Sequence, residues 1–271
     1  MQALSLETQL QPSYPQHPSS VPAGSLKAGR YTLRFAQSAA DLVAVQRLRY
    51  EVFNLELGEG LAIAHRLGRD EDEFDHRCHH LIVEHATDGV VGTYRFMTGA
   101  MGRTLGGFYS ETELDFAPLP DELCLRAVEL GRACVASRHR QGRVIHLLWQ
   151  GIARYLVWNE ARYLFGCASV AGVEPGAARA LAAELSARKL MHPTYRLEAL
   201  PELRCPEGPI AHDAPEVPPL LESYLHLGAR IASEPALDRA FGVTDFFVIL
   251  DTDQLKESVR RSFFARAERW C

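Results

Sequence analysis

The chain has 271 residues, 47% of them hydrophobic and 23% charged, with a formal net charge of -5. That length buries a full core without disulfide or metal staples, and that composition excludes both a wholly disordered chain and one dominated by membrane spans. The acidic balance argues against a general nucleic-acid binder, whose phosphate contacts need a basic surface. Cys78, Cys124, Cys134, Cys167, Cys205 and Cys271 form no C-x-x-C pair and accompany no secretory leader, so they read as reduced thiols of a cytoplasmic protein.

Residues 1–28 are expected to form a disordered tail. Up to Lys27 the only charges are Glu7 and Lys27, and Pro12, Pro15, Pro18 and Pro22 interrupt any regular element. A folded domain is expected over residues 29–255. Tyr31–Phe35 alternates as a strand, and residues 39–53 place Leu42, Val45, Leu48, Val52 and Phe53 on one side of a helix that Gly58 and Gly60 end. An acidic run over 70–75 leads into Leu81, Ile82 and Val83, and Asp88-Gly89 turns the chain back through Val90 to Met97, as in paired antiparallel strands. After a turn-rich stretch over 99–107, the apolar run 127–136 reads as a buried strand. Residues 143–159 carry Val144, Leu147, Leu148, Gly151, Ile152 and Tyr155 at the spacing of a core-facing helix, and a strand over 163–169 follows. Helices over 177–189 and 220–231 flank a proline-rich loop, and 246–250 adds a strand.

No G-x-S-x-G elbow, G-x-x-x-x-G-K-[ST] loop or H-E-x-x-H helix is present. Cys167 and Ser169 in Gly166-Cys167-Ala168-Ser169 read as small core residues of a strand rather than nucleophiles. His76, Cys78, His79 and His80 would point alternately to opposite faces of a strand, so no metal site is expected. The informative stretch is Val128-Glu129-Leu130-Gly131-Arg132-Ala133-Cys134-Val135, a carboxylate and an arginine within an apolar run. Charge there is costly unless paired or used. A structural Glu129–Arg132 ion pair is one reading; against it, residues three apart on a regular strand face opposite sides. The loop that follows carries Arg138, His139, Arg140 and Gly142, with Arg143 opening the next helix, and helix-terminal N–H groups and the helix dipole favour an anion there.

Strand, basic glycine loop and helix in this order resemble the acyl-donor site of GCN5-related N-acyltransferases (GNAT), which implies an α/β fold with a mixed, mostly antiparallel sheet flanked by helices. The family's Q/R-x-x-G-x-G/A loop stands here as His139-Arg140-Gln141-Gly142-Arg143-Val144, with one expected glycine, which suits the single phosphate of a carrier-protein arm. Over residues 31–250 the chain is similar to the bacterial ornithine–acyl-carrier-protein N-acyltransferases that make lyso-ornithine lipid. The matching stretches include Leu48-Arg49-Tyr50-Glu51-Val52-Phe53, Gly107-Phe108-Tyr109-Ser110-Glu111, Glu129-Leu130-Gly131-Arg132, Phe165-Gly166-Cys167-Ala168-Ser169 and Phe241-Gly242-Val243-Thr244-Asp245. Acyl-homoserine lactone synthases share only the first half of the pattern and rank second.

The resemblance implies transfer of a long-chain fatty acyl group, with or without a 3-hydroxyl, from the phosphopantetheine thioester of acyl carrier protein to the α-amino group of ornithine, with no metal and no bound cofactor. An α-amine, with a pKa of about 8 against about 10.4 for a side-chain amine, makes the smaller demand on a base. Glu129 is the expected general base, and the backbone N–H groups of Cys134 and Val135 are the expected oxyanion donors. Arg49, Arg95 and Arg132 are candidates for the acceptor's carboxylate, while Asp72 and Asp75 either hold its distal cation or fix a loop by capping. Arg138, Arg140, Gly142 and Arg143 are expected at the acyl donor, facing the acidic surface of the carrier protein. Acylation of glycine or another amino acid, a lactone-type signal synthase, and a non-catalytic carrier-protein-binding module are the alternatives. Over residues 256–271, Lys256, Arg260, Arg261, Arg266 and Arg269 interleave with Val259, Phe263, Phe264, Ala267 and Trp270 as a basic amphipathic helix, which either packs on the domain or binds an anionic membrane surface.

Overall fold

The computed structural model describes residues 14–60, 62–265 and 267. Part of the expected tail is ordered: β1 (Ser25–Ala28) pairs antiparallel with β2 (Tyr31–Phe35). No proline follows Pro22 in this stretch, so its N–H groups are free to join the sheet. Residues 1–13 of that tail, and Arg266, Glu268, Arg269, Trp270 and Cys271 of the expected C-terminal helix, lie outside the described residues.

Helix α1 (Ala39–Arg49) starts at Ser38, whose side chain accepts the Asp41 N–H, and runs on into a π-helical stretch over Tyr50–Leu57 that ends at Gly58. Then come α2 (Ala64–Leu67), β3 (His79–His85), β4 (Gly89–Thr98), α3 (Gly99–Leu105), α4 (Asp121–Leu125), β5 (Ala127–Val135), α5 (Arg143–Trp158), β6 (Tyr163–Ala171), α6 (Pro175–Ala187), α7 (Pro219–Leu227), β7 (Arg230–Ile231), β8 (Ala236–Asp238), β9 (Val243–Asp251) and α8 (Glu257–Phe264). Two further elements contradict the sequence reading outright. The turn-rich stretch 99–107 holds α3, because the Thr98 hydroxyl caps it by accepting the Met101 N–H. The helix expected to reach 231 stops at Gly228, and Arg230–Ile231 pairs with β9 instead.

The sheet order is β1-β2-β3-β4-β5-β6-β9-β7, with β8 also on β9, and every pairing is antiparallel except β5 with β6. Alternation divides the faces. Leu81, Val83, Phe96, Val128 and Leu130 pack with Leu147, Leu148 and Ile152 of α5. Ile82 packs with Val45 of α1 on the opposite face. Met97 and Phe165 lie on that second face too, in a cluster with Phe108 and Leu114. Glu129, between Val128 and Leu130 and opposite Met97 on β4, therefore points to the α1 side.

Two irregularities open the sheet at its centre. The β4–β5 register shifts between Thr93, which faces Cys134, and Arg95, which faces Gly131, so β5 carries one extra residue there and Arg132 takes φ 51°. Strands β5 and β6 pair only from Ala127 to Glu129 and then diverge. At the fork Gly166 is required: a Cβ there would stand 2.2 Å from the Leu130 carbonyl oxygen. Helix α8 packs its apolar side on the domain, with the Phe263 ring edge-on to Trp149 of α5 at 5.3 Å between centroids.

Candidate active site

Glu129 sits 6% exposed in the wall of a cavity of about 490 Å³ that begins at the β5–β6 fork. Its Oε1 accepts the Ser110 N–H (2.8 Å) and the Ser110 hydroxyl (2.7 Å), and its Oε2 accepts the Tyr109 N–H (2.9 Å). Burial pushes its carboxyl above the usual range, and these donors, with Arg95 nearby, pull only partly against it. A carboxylate offers about four lone-pair positions, so one on Oε2 stays open for a proton.

The oxyanion donors divide. Ala136 N–H donates to the Val91 carbonyl, so in this register its alternate residue Cys134 also turns its N–H to β4 and spends it in the ladder with Thr93. Cys134 is thereby removed as an oxyanion donor; its side chain is buried against Leu48 and Val52. The Val135 N–H points the other way, into the gap that β6 leaves.

The arginines separate as sharply. The Arg49 guanidinium is wholly buried, giving two bonds to Asp75 (2.6 and 2.8 Å) and two to Asp70 (2.7 Å to the side chain, 2.7 Å to the carbonyl). Arg95 bonds Asp72 (2.5 Å) and Asp75 (3.2 Å). The Arg49 guanidinium holds Asp75 far below the usual carboxylate range despite burial, and burial pushes the neighbouring His80 down to about 4. Arg49 and Asp75 therefore do not reach an acceptor, contrary to the sequence expectation, because both are held inside the core, Arg49 by Asp75 and Asp70 and Asp75 by Arg49 and Arg95. Asp72 follows the capping reading: its Oδ1 accepts the Phe74 and Asp75 N–H groups while Oδ2 holds Arg95. Arg132 is the most open of the three. Its side chain is 16% exposed against 4% for Arg95, and it lies between the rings of Phe53 and Phe241, at 4.7 and 5.2 Å, with one hand on Asp70. No Glu129–Arg132 ion pair forms among the described residues. The bulge brings Arg132 to the α1 side, so the opposite-face expectation does not hold either.

At the basic loop, Gly142 takes φ 88° and leads into α5 with no side-chain cap, leaving the first N–H groups of a 16-residue helix open. Arg138 and Arg143 are exposed, whereas Arg140 is clamped on Glu56 and on the Val135 carbonyl (3.0 Å). His139 bonds Tyr31 (2.9 Å) and Asp88 (3.0 Å).

The sequence reading missed three acids in the same cavity. Glu113, Asp238 and Asp245 are buried, with oxygens all within 4.8 Å of one another. Burial and the facing acid push Glu113 up to about 8, and burial with Asp238 pushes Asp245 up to about 7. The signal was available at Asp245, an acid set directly before Phe246-Phe247 as Glu129 is set within its own apolar run.

Residues 48–150 match the model of the acetyltransferase (GNAT) domain family. An L-ornithine Nα-acyltransferase of Brucella abortus is 34% identical over 265 aligned positions, covering 90% of this chain and 92% of that protein. One from Rhodobacter capsulatus is 34% identical, covering 88% and 96%, and one from Agrobacterium fabrum 33%, covering 90% and 88%. The chain belongs to the L-ornithine Nα-acyltransferase family. It is an N-acyltransferase with a GNAT-type fold. Among solved structures it is similar to the CoA-dependent acyl-homoserine lactone synthase BjaI, with TM-score 0.49 and 13% identity over 84% of this chain and 83% of that one, and to the synthase LasI, with TM-score 0.46 and 12% identity over 88% and 96%.

Proposed function

We propose that this enzyme transfers a long-chain fatty acyl group from the phosphopantetheine thioester of acyl carrier protein to the α-amino group of ornithine, giving lyso-ornithine lipid. The observation that carries the chemistry is Glu129, a buried carboxylate with a raised pKa and one open lone pair beside a fork in the sheet. Its Oε2 takes a proton from the α-ammonium, directly or through a water, and the freed nitrogen attacks the thioester carbonyl. The Val135 N–H, facing the gap, stabilises the oxyanion. Collapse breaks the C–S bond, and the departing thiolate takes up a proton as the amide forms. Arg132 binds the acceptor's carboxylate, being the guanidinium most open to the cavity. Leu164, Leu220, Leu221, Val248 and Leu250 offer an apolar wall to the acyl chain.

The exposed Arg138 and Arg143, with the open start of α5, suit the single phosphate of a carrier-protein arm and the acidic carrier around it. No helix among the described residues is long and apolar enough to cross a membrane. Lys256 just before α8 and Arg260 and Arg261 on it are exposed, while Phe263 and Phe264 pack inward. Peripheral contact with the anionic inner face of the cytoplasmic membrane would thus run through charge rather than insertion. Incubation with acylated carrier protein and a set of amino acids, followed by mass spectrometry, tests the reading. Acyl-ornithine and free carrier protein are expected. Product from acyl-coenzyme A but not from the carrier would refute the donor, and no N-acyl amino acid at all would favour a non-catalytic carrier-binding module.

A further inference from the structure

Most buried acids of this protein come with a cation or with hydrogen-bond donors. Asp70 and Asp75 meet Arg49, the half-buried Asp72 beside them meets Arg95, and Glu129 has three N–H and O–H donors. Glu113, Asp238 and Asp245 differ in meeting no cation among the described residues, although they are only 3%, 8% and 3% exposed. Asp238 Oδ1 accepts the Ala240 and Phe241 N–H groups, and Asp245 Oδ1 accepts the Ser169 hydroxyl at 2.6 Å. The Glu113 carboxylate lines the cavity with only neutral groups to bond it, the Cys167 thiol and the Tyr109 hydroxyl. A buried carboxylate without a cation is expensive, and three sharing one corner repel each other as well. Such a corner fits a visiting cation with several N–H donors.

Its place in the cavity says which cation. The turn over Tyr109–Thr112 gives the N–H groups that hold Glu129, and Glu113 is its next residue. Arg132 lies close enough to act on Asp245. A carboxylate-binding arginine, a base for an α-amine and a buried acidic corner thus line one space, which matches the charges of an amino acid with a second, distal amine.

We propose that Glu113, Asp238 and Asp245 form the subsite for the distal ammonium of the acceptor and so set its side-chain specificity. This rests on the acyl-transfer reading above. It moves the distal cation away from Asp72 and Asp75, which are already committed to Arg95 and Arg49. The charged and titratable groups facing the trio are Cys167 on β6, Tyr109 in the turn, Arg132 on β5 and Glu59 after the π-helical stretch. Before the cation enters, burial keeps Glu113 and Asp245 partly protonated near neutrality, so binding it expels protons.

The test compares ornithine with norvaline, which has the same stem and no distal amine. Wild type should prefer ornithine, and the ratio of the two kcat/KM values should rise from mildly acidic to mildly alkaline pH, a trend that the shared α-amine cannot produce. In Glu113→Gln and in Asp245→Asn the ratio should fall about 10- to 150-fold, the worth of a hydrogen bond to a charged group. A ratio unchanged by both variants, or a flat pH trend in wild type, overturns the subsite; the trend needs no variant to fold. Binding of Mg²⁺ or Mn²⁺ to wild type in calorimetry, lost in Glu113→Gln, would overturn it in favour of a metal centre. Acylation of norvaline and glycine but not ornithine would refute the subsite alone, whereas no acylation of any amino acid would refute the reading beneath it.

Discussion

Replacing Glu129 by glutamine tests the proposed base and also probes how tightly that group is held. A glutamine carbonyl placed at the Oε1 position keeps the two bonds from Ser110, but its NH2 then faces the Tyr109 N–H, donor against donor. Leaving that buried N–H unpaired costs about 1–3 kcal/mol. Against the roughly 5–15 kcal/mol typical of a folded domain this lowers the unfolding midpoint without abolishing the fold. Losing the proton acceptor should lower kcat by about 10²- to 10⁴-fold. The assay is kcat at saturating ornithine as a function of pH, with circular dichroism and urea unfolding run on the same protein. In wild type the rate should fall on the acidic side as Glu129 takes up a proton, and its raised pKa brings that limb nearer neutrality than an ordinary glutamate near 4.3 would. The limb should be missing from the variant. A folded variant within about threefold of the wild-type rate at neutral pH would refute the base assignment.

Ser110→Ala removes the donor that most strongly lowers the Glu129 pKa; at about 1.5–3 kcal/mol for a charge-assisted bond, the acidic limb of kcat should move up by about one to two pH units, and an unmoved limb would count against Glu129. Arg138→Ala with Arg143→Ala should raise KM for acylated carrier protein and not for ornithine, with the difference vanishing at high salt; equal effects on both substrates would refute docking at this loop. His79 and His80 are buried, and desolvation lowers each to about 4, so the unfolded chain, with histidines near 6.5, binds protons first as pH falls. Stability should therefore decline between about pH 6.5 and 4, by on the order of 3 kcal/mol for each histidine, and fall further below that as Asp75 is forced to protonate; an unfolding free energy unchanged across this window would refute the assignment.

The elements that periodicity governs were legible. Tyr31–Phe35 is β2 as read, and α5 and β5 lie within a residue of the expected ranges, because their apolar spacing and their burial are the same fact. What escaped was decided by single interactions. The Thr98 cap starts α3 across two glycines, and Gly228 ends α7 where apolar spacing alone ran on. At the site, an acid in an apolar strand marked Glu129, and the same rule applied to Asp245 would have found the acidic corner. Glu113 could not have been found that way, since it follows a short turn and only the packed β8 and β9 bring it to its partners. Arg49 and Asp75 were drawn to notice by being charged within matching motifs, yet what those motifs encode is a mutual ion pair in the core.

The bulge at Arg132 links the charge of β5 to its opening. In a regular strand Arg132 would share a face with Val128 and Leu130 and would meet Val144 and Leu148 of α5, an apolar surface where an unpaired guanidinium is prohibitive. One extra residue sends it instead to Asp70 and the rings of Phe53 and Phe241, contacts that offset a left-handed backbone costing about 1–3 kcal/mol. The same insertion reverses the parity beyond it, so Cys134 packs on α1 and the Val135 N–H faces the gap. Pairing with β6 has by then ended at Glu129, with Gly166 passing the Leu130 carbonyl at the fork. The arginine and the irregularity thus go together: the bulge carries Arg132 off the apolar α5 side and to the cavity that opens where β5 and β6 part at Glu129.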